Sequence, residues 1–342
     1  MDYVCSGPGG SLFGRGFDSR HLHKELSHNG SSFSYQTLNH ASRLILVLFT
    51  SSLRTMITEI SFTKASGAGN DFVIIDNRRS VLPGDTATLA QQLCSRNFGI
   101  GADGLLLVES SQSADFAMRY YNSDGSYGGM CGNGGRCLAR FAFLNGIAPA
   151  VMTFEALDFI YQAEVKDATV ALRMKDPTAF RIESNLSADE LIQRSFFIDT
   201  GSPHVVCFVD DVERVPVAKL GRMIREAPAL LPDGANVDFV SVGRDSSIKL
   251  RTYERGVEGE TLACGTGAVA SGVVAHLQKG LKFPVVVHVR SGEILLVNAI
   301  TEGGNIKSPS LEGSAHILFS GKIRYDSALR SIAEPTQGLG ET

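Results

Sequence analysis

The sequence predicts an α+β fold of two pseudo-symmetric α/β domains, and three observations carry that prediction. First, four short segments recur in one order at a nearly constant offset of 132 to 134 residues. SGAGNDFVIID (66–76) matches TGSPHVVCFVD (200–210), and Gly101-Ala102-Asp103 matches Gly234-Ala235-Asn236. MRYYNSDG (118–125) matches LRTYERGV (250–257), and CGNGG (131–135) matches CGTGA (264–268). Self-similarity over that length means a duplicated domain rather than a solenoid. Second, from Ile57 onward short apolar runs of strand length alternate with Gly, Pro, Asn and Asp turns. Third, each half carries one helical pattern that is apolar or small nearly all round, which predicts a helix enclosed by protein.

Taken in order, residues 1–55 stand apart, with ten Ser, six Gly and four of the eight His. No periodicity is found there before Leu44, so the segment is expected to be disordered and to carry no chemistry. It is either an upstream extension ahead of a start at Met56 or an acid-poor, Ser-rich targeting segment. Strands are expected at Phe72–Ile75, Gly104–Val108 and Ala117–Tyr121. The first helix follows Cys131, places Cys137, Leu138, Phe141 and Leu144 at helical spacing, and stops at Asn145-Gly146. Strands Val205–Val209 and Lys249–Tyr253 precede the second helix. That helix follows Cys264, carries Val269, Val273, Val274 and Leu277, stops at Gly280, and is followed by strand Val285–Val289.

Composition narrows the function. The 342 residues carry 32 Lys plus Arg against 36 Asp plus Glu, a net charge of -4 with no basic block. A nucleic-acid binder needs a phosphate-neutralising surface, so no nucleic acid is expected as partner. The longest purely apolar run, Leu44–Phe49, is far short of the roughly 20 residues that span a bilayer, so no membrane is expected either. Six cysteines in a chain this long do not make a disulfide scaffold; free thiols in a reducing, cytoplasmic compartment are expected.

The repeat carries the chemistry. Each half presents Cys-Gly-x-Gly immediately before its enclosed helix. A thiol there feels the positive end of the helix dipole, which predicts a lowered pKa, and the glycines leave N–H groups bare to an anion. Related by an internal two-fold, the two elements would put two thiols on opposite sides of one pocket between the halves. Inverting a stereocentre by proton transfer needs a base on one face and an acid on the other. Donors aimed at an α-carboxylate would stabilise the charge that develops there. Neither a pyridoxal-phosphate lysine nor a metal cluster is evident, so no cofactor and no metal are expected. Cys137, Cys94 and Cys207 are expected to pack in the core, and Asp103 and Asp124 to pin loops.

Seven segments carry a resemblance: FTKASGAGNDFVIID (62–76), GIGADGLL (99–106), RYYNSDG (119–125), MCGNGGRC (130–137), TGSPH (200–204), NVDF (236–239) and YERGVEGETLACGTGA (253–268). Over residues 57 to 326 the chain resembles the diaminopimelate epimerases. The resemblance implies paired domains with strands wrapped round a central helix, and a last strand that returns to the first domain. It thereby implies limits of 56–180 plus 313–326 for the first domain and 181–312 for the second, with 327–342 as tail. It further implies cofactor-independent conversion of LL- to meso-diaminopimelate, a small-molecule substrate, in lysine biosynthesis, and a homodimer as the assembly. Carried over, Cys131 and Cys264 are the acid/base thiols, with His204 beside them. Gly132, Asn133, Gly265 and Thr266 offer N–H groups to the α-carboxylate. Asn70 and Glu254 hold the α-amino end, and Asn122, Asn236 and Arg255 reach the distal amino-carboxylate. Gly104 and Ser202 depart from the family pattern, where Gln and Asn are frequent. Two alternatives stand beside this: a proline-racemase-like enzyme, which calls for neither Arg255 nor the Asn122 and Asn236 set, and a non-catalytic binding protein on the same fold.

Overall fold

The computed structural model describes residues 57–182, 186 and 189–333. The extension expected at 1–55, with Cys5, lies outside the described residues. The first half runs β1 (Ile57–Gly67), β2 (Asn70–Asp76), α1 (Thr86–Cys94), β3 (Gly104–Glu109), β4 (Phe116–Asn122), α2 (Gly132–Leu144), β5 (Val151–Ala156), β6 (Phe159–Val165) and β7 (Thr169–Arg173). The strand β8 (Thr178–Ile182) leads into the second half. There follow β9 (Ile192–Asp199), β10 (Pro203–Val209), α3 (Val217–Arg225), β11 (Asn236–Val242), β12 (Ile248–Glu254), β13 (Gly259–Thr261), α4 (Gly265–Lys279), β14 (Val285–His288), β15 (Ile294–Glu302) and β16 (Asn305–Ser314). The chain closes with β17 (His316–Asp326) and β18 (Ser331–Ala333).

Strand pairing repeats the duplication. From β1 to β7 each strand pairs with the next, parallel at β2–β3 and β4–β5 and antiparallel elsewhere. From β9 to β16 the same sense recurs, parallel at β10–β11 and β12–β14. The two halves join where β7 pairs antiparallel with β16. Then each half lends a strand to the other: β8 pairs with β9, and β17 pairs with β1. Part of the expected tail is therefore sheet, since β18 pairs with β17, and the limit expected at 180 falls inside β8.

Each sheet curls round one helix. Phe72, Ile74, Leu106 and Val108 face α2, and Val206, Phe208 and Val240 face α4, in one core that spans both halves. The alternate residues face outward onto the short helices. Val73, Ile75, Leu105 and Leu107 cover α1, and Val205, Cys207, Val237 and Phe239 cover α3. Burial on both faces is why these strands read as unbroken apolar runs instead of alternating ones. The helix stops lie where the sequence places them, with Asn145 as C-cap of α2 and left-handed Gly280 as C-cap of α4. At the last turns Phe143, Leu144 and Leu277 are exposed. Among the described residues no helix is long and apolar enough to cross a membrane.

Candidate active site

Each central helix starts directly after a cysteine. Cys131 is the N-cap of α2 and Cys264 that of α4, and neither caps its helix with a side-chain hydrogen bond. The first intrahelical bonds run from Gly135 N–H to the Cys131 carbonyl and from Ala268 N–H to the Cys264 carbonyl. The preceding N–H groups have no acceptor inside their helices. Those of Asn133 and Gly134 face the Cys131 sulfur, and that of Gly267 faces the Cys264 sulfur. The two helix starts meet: a Cβ on Gly265 would lie 4.0 Å from the Gly132 Cα. Beside this junction opens a cleft of about 330 Å³ whose wall includes Gly132, Thr266, Ser202, Asn236, Glu254 and Arg255. Cys131, Cys264, His204, Asn70, Asn122, Asn133 and Gly265 do not line it; the two cysteines stand at the helix starts behind its wall.

Burial pushes both thiols above their ordinary value. At Cys131 it is opposed by the Gly134 and Asn133 N–H groups and by the Arg136 guanidinium. At Cys264 the Glu254 and Asp238 carboxylates reinforce it, while the Thr266 hydroxyl and the Gly267 N–H oppose it. This corrects the lowered pKa expected from the helix dipole. The helix ends act in the expected direction, but stripping water from a thiolate outweighs them. Burial likewise pushes the Glu254 carboxyl up. Cys94 and Cys137 are core thiols pushed to about 12, and Cys207 is buried on the outer face of β10.

Polar contacts separate the remaining residues. His204 is fully buried; its Nδ1 lies 2.7 Å from Asp238 Oδ2 and its Nε2 2.9 Å from Thr266 Oγ1, which is 3.5 Å from the Cys264 sulfur. Asn236 donates to Ser202 Oγ and the Pro203 carbonyl, and its Oδ1 accepts from the Arg255 N–H, so it ties the two walls of the cleft together. The Arg255 guanidinium donates to the Asp233 carbonyl at 3.2 Å. In the first half, Asn70 donates to Asp103 and accepts from Asn133, whose Oδ1 accepts from Arg136. Asn122 donates to Ser126 and so pins the loop that carries Gly128 and Gly129 into the cleft wall.

Two residues escaped the sequence reading. Asp238 stands in NVDF and Arg136 in MCGNGGRC, and both are fully buried. Their signal was a charge in an otherwise apolar strand and in a helix expected to be enclosed all round, because such groups persist in a core only with partners.

Comparison with known proteins finds a match in both halves of the chain. The family model described as Diaminopimelate epimerase matches residues 62–179 and 196–315, one stretch in each half. The diaminopimelate epimerase of Chlorobaculum tepidum is 44% identical over 262 residues, covering 75% of this chain and 99% of that one. That of Aquifex aeolicus is 41% identical over 276 residues, covering 77% and 98%. Among solved structures, a PhzF-family phenazine biosynthesis protein of Bacillus anthracis superposes with a TM-score of 0.60 at 15% identity, covering 78% of this chain and 99% of that one, which shows a shared fold alone. With both halves matched and nearly the whole of these relatives spanned, the chain belongs to the diaminopimelate epimerase family.

Proposed function

We propose that this isomerase, which interconverts LL- and meso-diaminopimelate in lysine biosynthesis, does so by two-base proton transfer, with Cys131 and Cys264 on opposite faces of the α-carbon. The observation that carries the reading is the meeting of two cysteine-capped helix starts beside one cleft. The α-carboxylate lies between the helix ends, where the N–H groups of Gly132, Gly265 and Thr266 stabilise the enediolate-like charge, while the Asn133 N–H stays with the Cys131 sulfur. One sulfur, as thiolate, takes the α-proton while the other, as thiol, delivers its own from the opposite face; the reverse reaction exchanges the roles. Glu254, on the cleft wall, takes the α-ammonium, and Arg255 pairs with the distal carboxylate. Asn236, Asn70 and Asn122 act through the walls they hold. Arg255 on the cleft wall also favours a dicarboxylate over the monocarboxylate of a proline-racemase-like reaction.

We place the domain limits at the β7–β8 and β16–β17 connections; the pairing of β8 with β9, and of β17 with β1 and β18, supports that reading. Five free thiols among the described residues support a cytoplasmic setting. The homodimer we propose has support in the apolar surface of Leu318 and Phe319 on β17.

Incubation with LL-diaminopimelate in deuterated water tests the reaction. Wild type should yield α-deuterated meso product, and neither Cys131→Ala nor Cys264→Ala should. Wild-type epimerisation by either single variant would sink the two-base assignment.

A further inference from the structure

The two halves share a backbone plan but differ in what lies beneath the first helical turn. Under α2, a Cβ at Gly134 would meet Leu106 Cδ2 at 3.1 Å; under α4, a Cβ at the matching Gly267 would meet Asp238 Oδ1 at 2.5 Å. The neutral pair Asn70 and Asn133 of the first half corresponds in the repeat to His204 and Thr266 of the second. Asp238 is fully buried and accepts from Thr252 Oγ1 at 2.7 Å through its other oxygen.

These contacts set proton positions. A carboxylate can only accept, so the His204 nitrogen facing Asp238, Nδ1, carries the hydrogen. Nε2 faces the Thr266 hydroxyl, which can donate to it; the Asn236 amide nitrogen, at 3.4 Å, already gives its two hydrogens to Ser202 Oγ and the Pro203 carbonyl. The Asn236 orientation is itself settled, because its Oδ1 accepts from Arg255 N–H. With its hydrogen directed at Nε2, Thr266 offers a lone pair to the Cys264 S–H. We propose that Asp238 is a positioning residue that holds His204 in the Nδ1–H tautomer and so completes a proton relay, Cys264 to Thr266 to His204, which Cys131 lacks. In one step the Cys264 S–H proton passes to Thr266 Oγ1, and the Thr266 hydroxyl proton passes to His204 Nε2. The products are a thiolate and an imidazolium whose Nδ1–H stays on Asp238. No proton leaves the buried site and its net charge is unchanged. The ionisable groups facing the relay are Asp238 on β11, Glu254 on β12, Cys264 at the start of α4 and Cys207 on β10.

The proposal rests on Cys264 being one of the two proton-transfer thiols. Nitrogen-15 spectra of histidine-labelled full chain should show the Nδ1–H tautomer for the signal that disappears in His204→Gln, and Asp238→Asn should change it. Asp238→Asn should also lower kcat on the order of 10- to 100-fold with little change in KM, and move the pH profile alkaline. Thr266→Val should do the same to kcat, and Thr266→Ser, which restores a hydroxyl, should recover it. That second pair decides the matter if Asp238→Asn fails to fold. An Nε2–H tautomer in wild type, or equal kcat in Thr266→Val and Thr266→Ser, overturns the relay. Full epimerisation by Cys264→Ala overturns the two-cysteine reading instead. Loss of exchange in Cys264→Ala with an unaltered, folded Asp238→Asn overturns the relay alone.

Discussion

Gly134 and Gly267 are each the third residue of a central helix, so replacing either by alanine has the same intrinsic effect on the helix. That effect is a gain of at most about 1 kcal/mol from lower backbone entropy in the unfolded chain. What the new methyl meets differs. At Gly134 it meets the tip of Leu106 at 3.1 Å, and a leucine end can turn aside. At Gly267 it would stand 2.5 Å from Asp238 Oδ1 and 3.2 Å from its Cγ. Asp238 cannot retreat without giving up His204 or Thr252. Overpacking of that kind costs about 1–3 kcal/mol, so Gly267→Ala should be less stable than Gly134→Ala by roughly that much. At roughly 1.5 °C per kcal/mol for a chain of this size, the thermal midpoints should differ by about 1–5 °C. Calorimetry on the two variants side by side measures it, with α-proton exchange as the second readout, which Gly267→Ala should lose more of. Equal midpoints would refute the reasoning, because they would mean that Asp238 is free to move and holds nothing in place.

Arg255→Gln should raise KM for diaminopimelate far more than it lowers kcat, since a distal carboxylate in the cleft loses its bidentate partner; an unchanged KM removes Arg255 from the distal site. Both reactive thiols ionise above their ordinary value of 9.0, so alkylation of the free enzyme should climb about tenfold per pH unit up to pH 9, with Cys264 behind Cys131 because Glu254 raises both and Asp238 adds to the burial of Cys264 alone. A plateau at lower pH contradicts that. Asp71 is pushed up by burial but held down to about 2 by Arg96 and Lys64, below its ordinary 3.8. The stabilisation is complete above 3.8 and lost as pH falls through about 2. Asp71→Asn should therefore lower the urea midpoint at pH 7 and flatten its fall between pH 4 and 2, and an unchanged midpoint at pH 7 would count against it.

Local signals in the sequence determined six of the eighteen described strands (β2, β3, β4, β10, β12 and β14), both central helices with their stops, the duplication, and the two Cys-Gly-x-Gly elements. Each depends on residues close in the chain: turn formers, apolar spacing, and a glycine that accepts the left-handed C-cap at 280. The short helices α1 and α3 escaped because nine residues hold too few turns for a period to stand out. Tertiary structure alone decided the rest. The return of β17 to the first half depends on pairing with β1 across more than a hundred residues, beyond the reach of any local signal. The direction of the thiol pKa values is likewise a property of enclosure: helix ends adjacent in sequence favour the thiolate, and the desolvation that defeats them comes from both halves closing round the sulfurs. Asn70 and Asn122 read as ligands by position, yet folding engages their amides with Asp103 and Ser126. Asp238 and His204 lie 34 positions apart in the chain and meet only because β10 and β11 run parallel side by side, which brings a carboxylate under an imidazole that no local pattern could have joined.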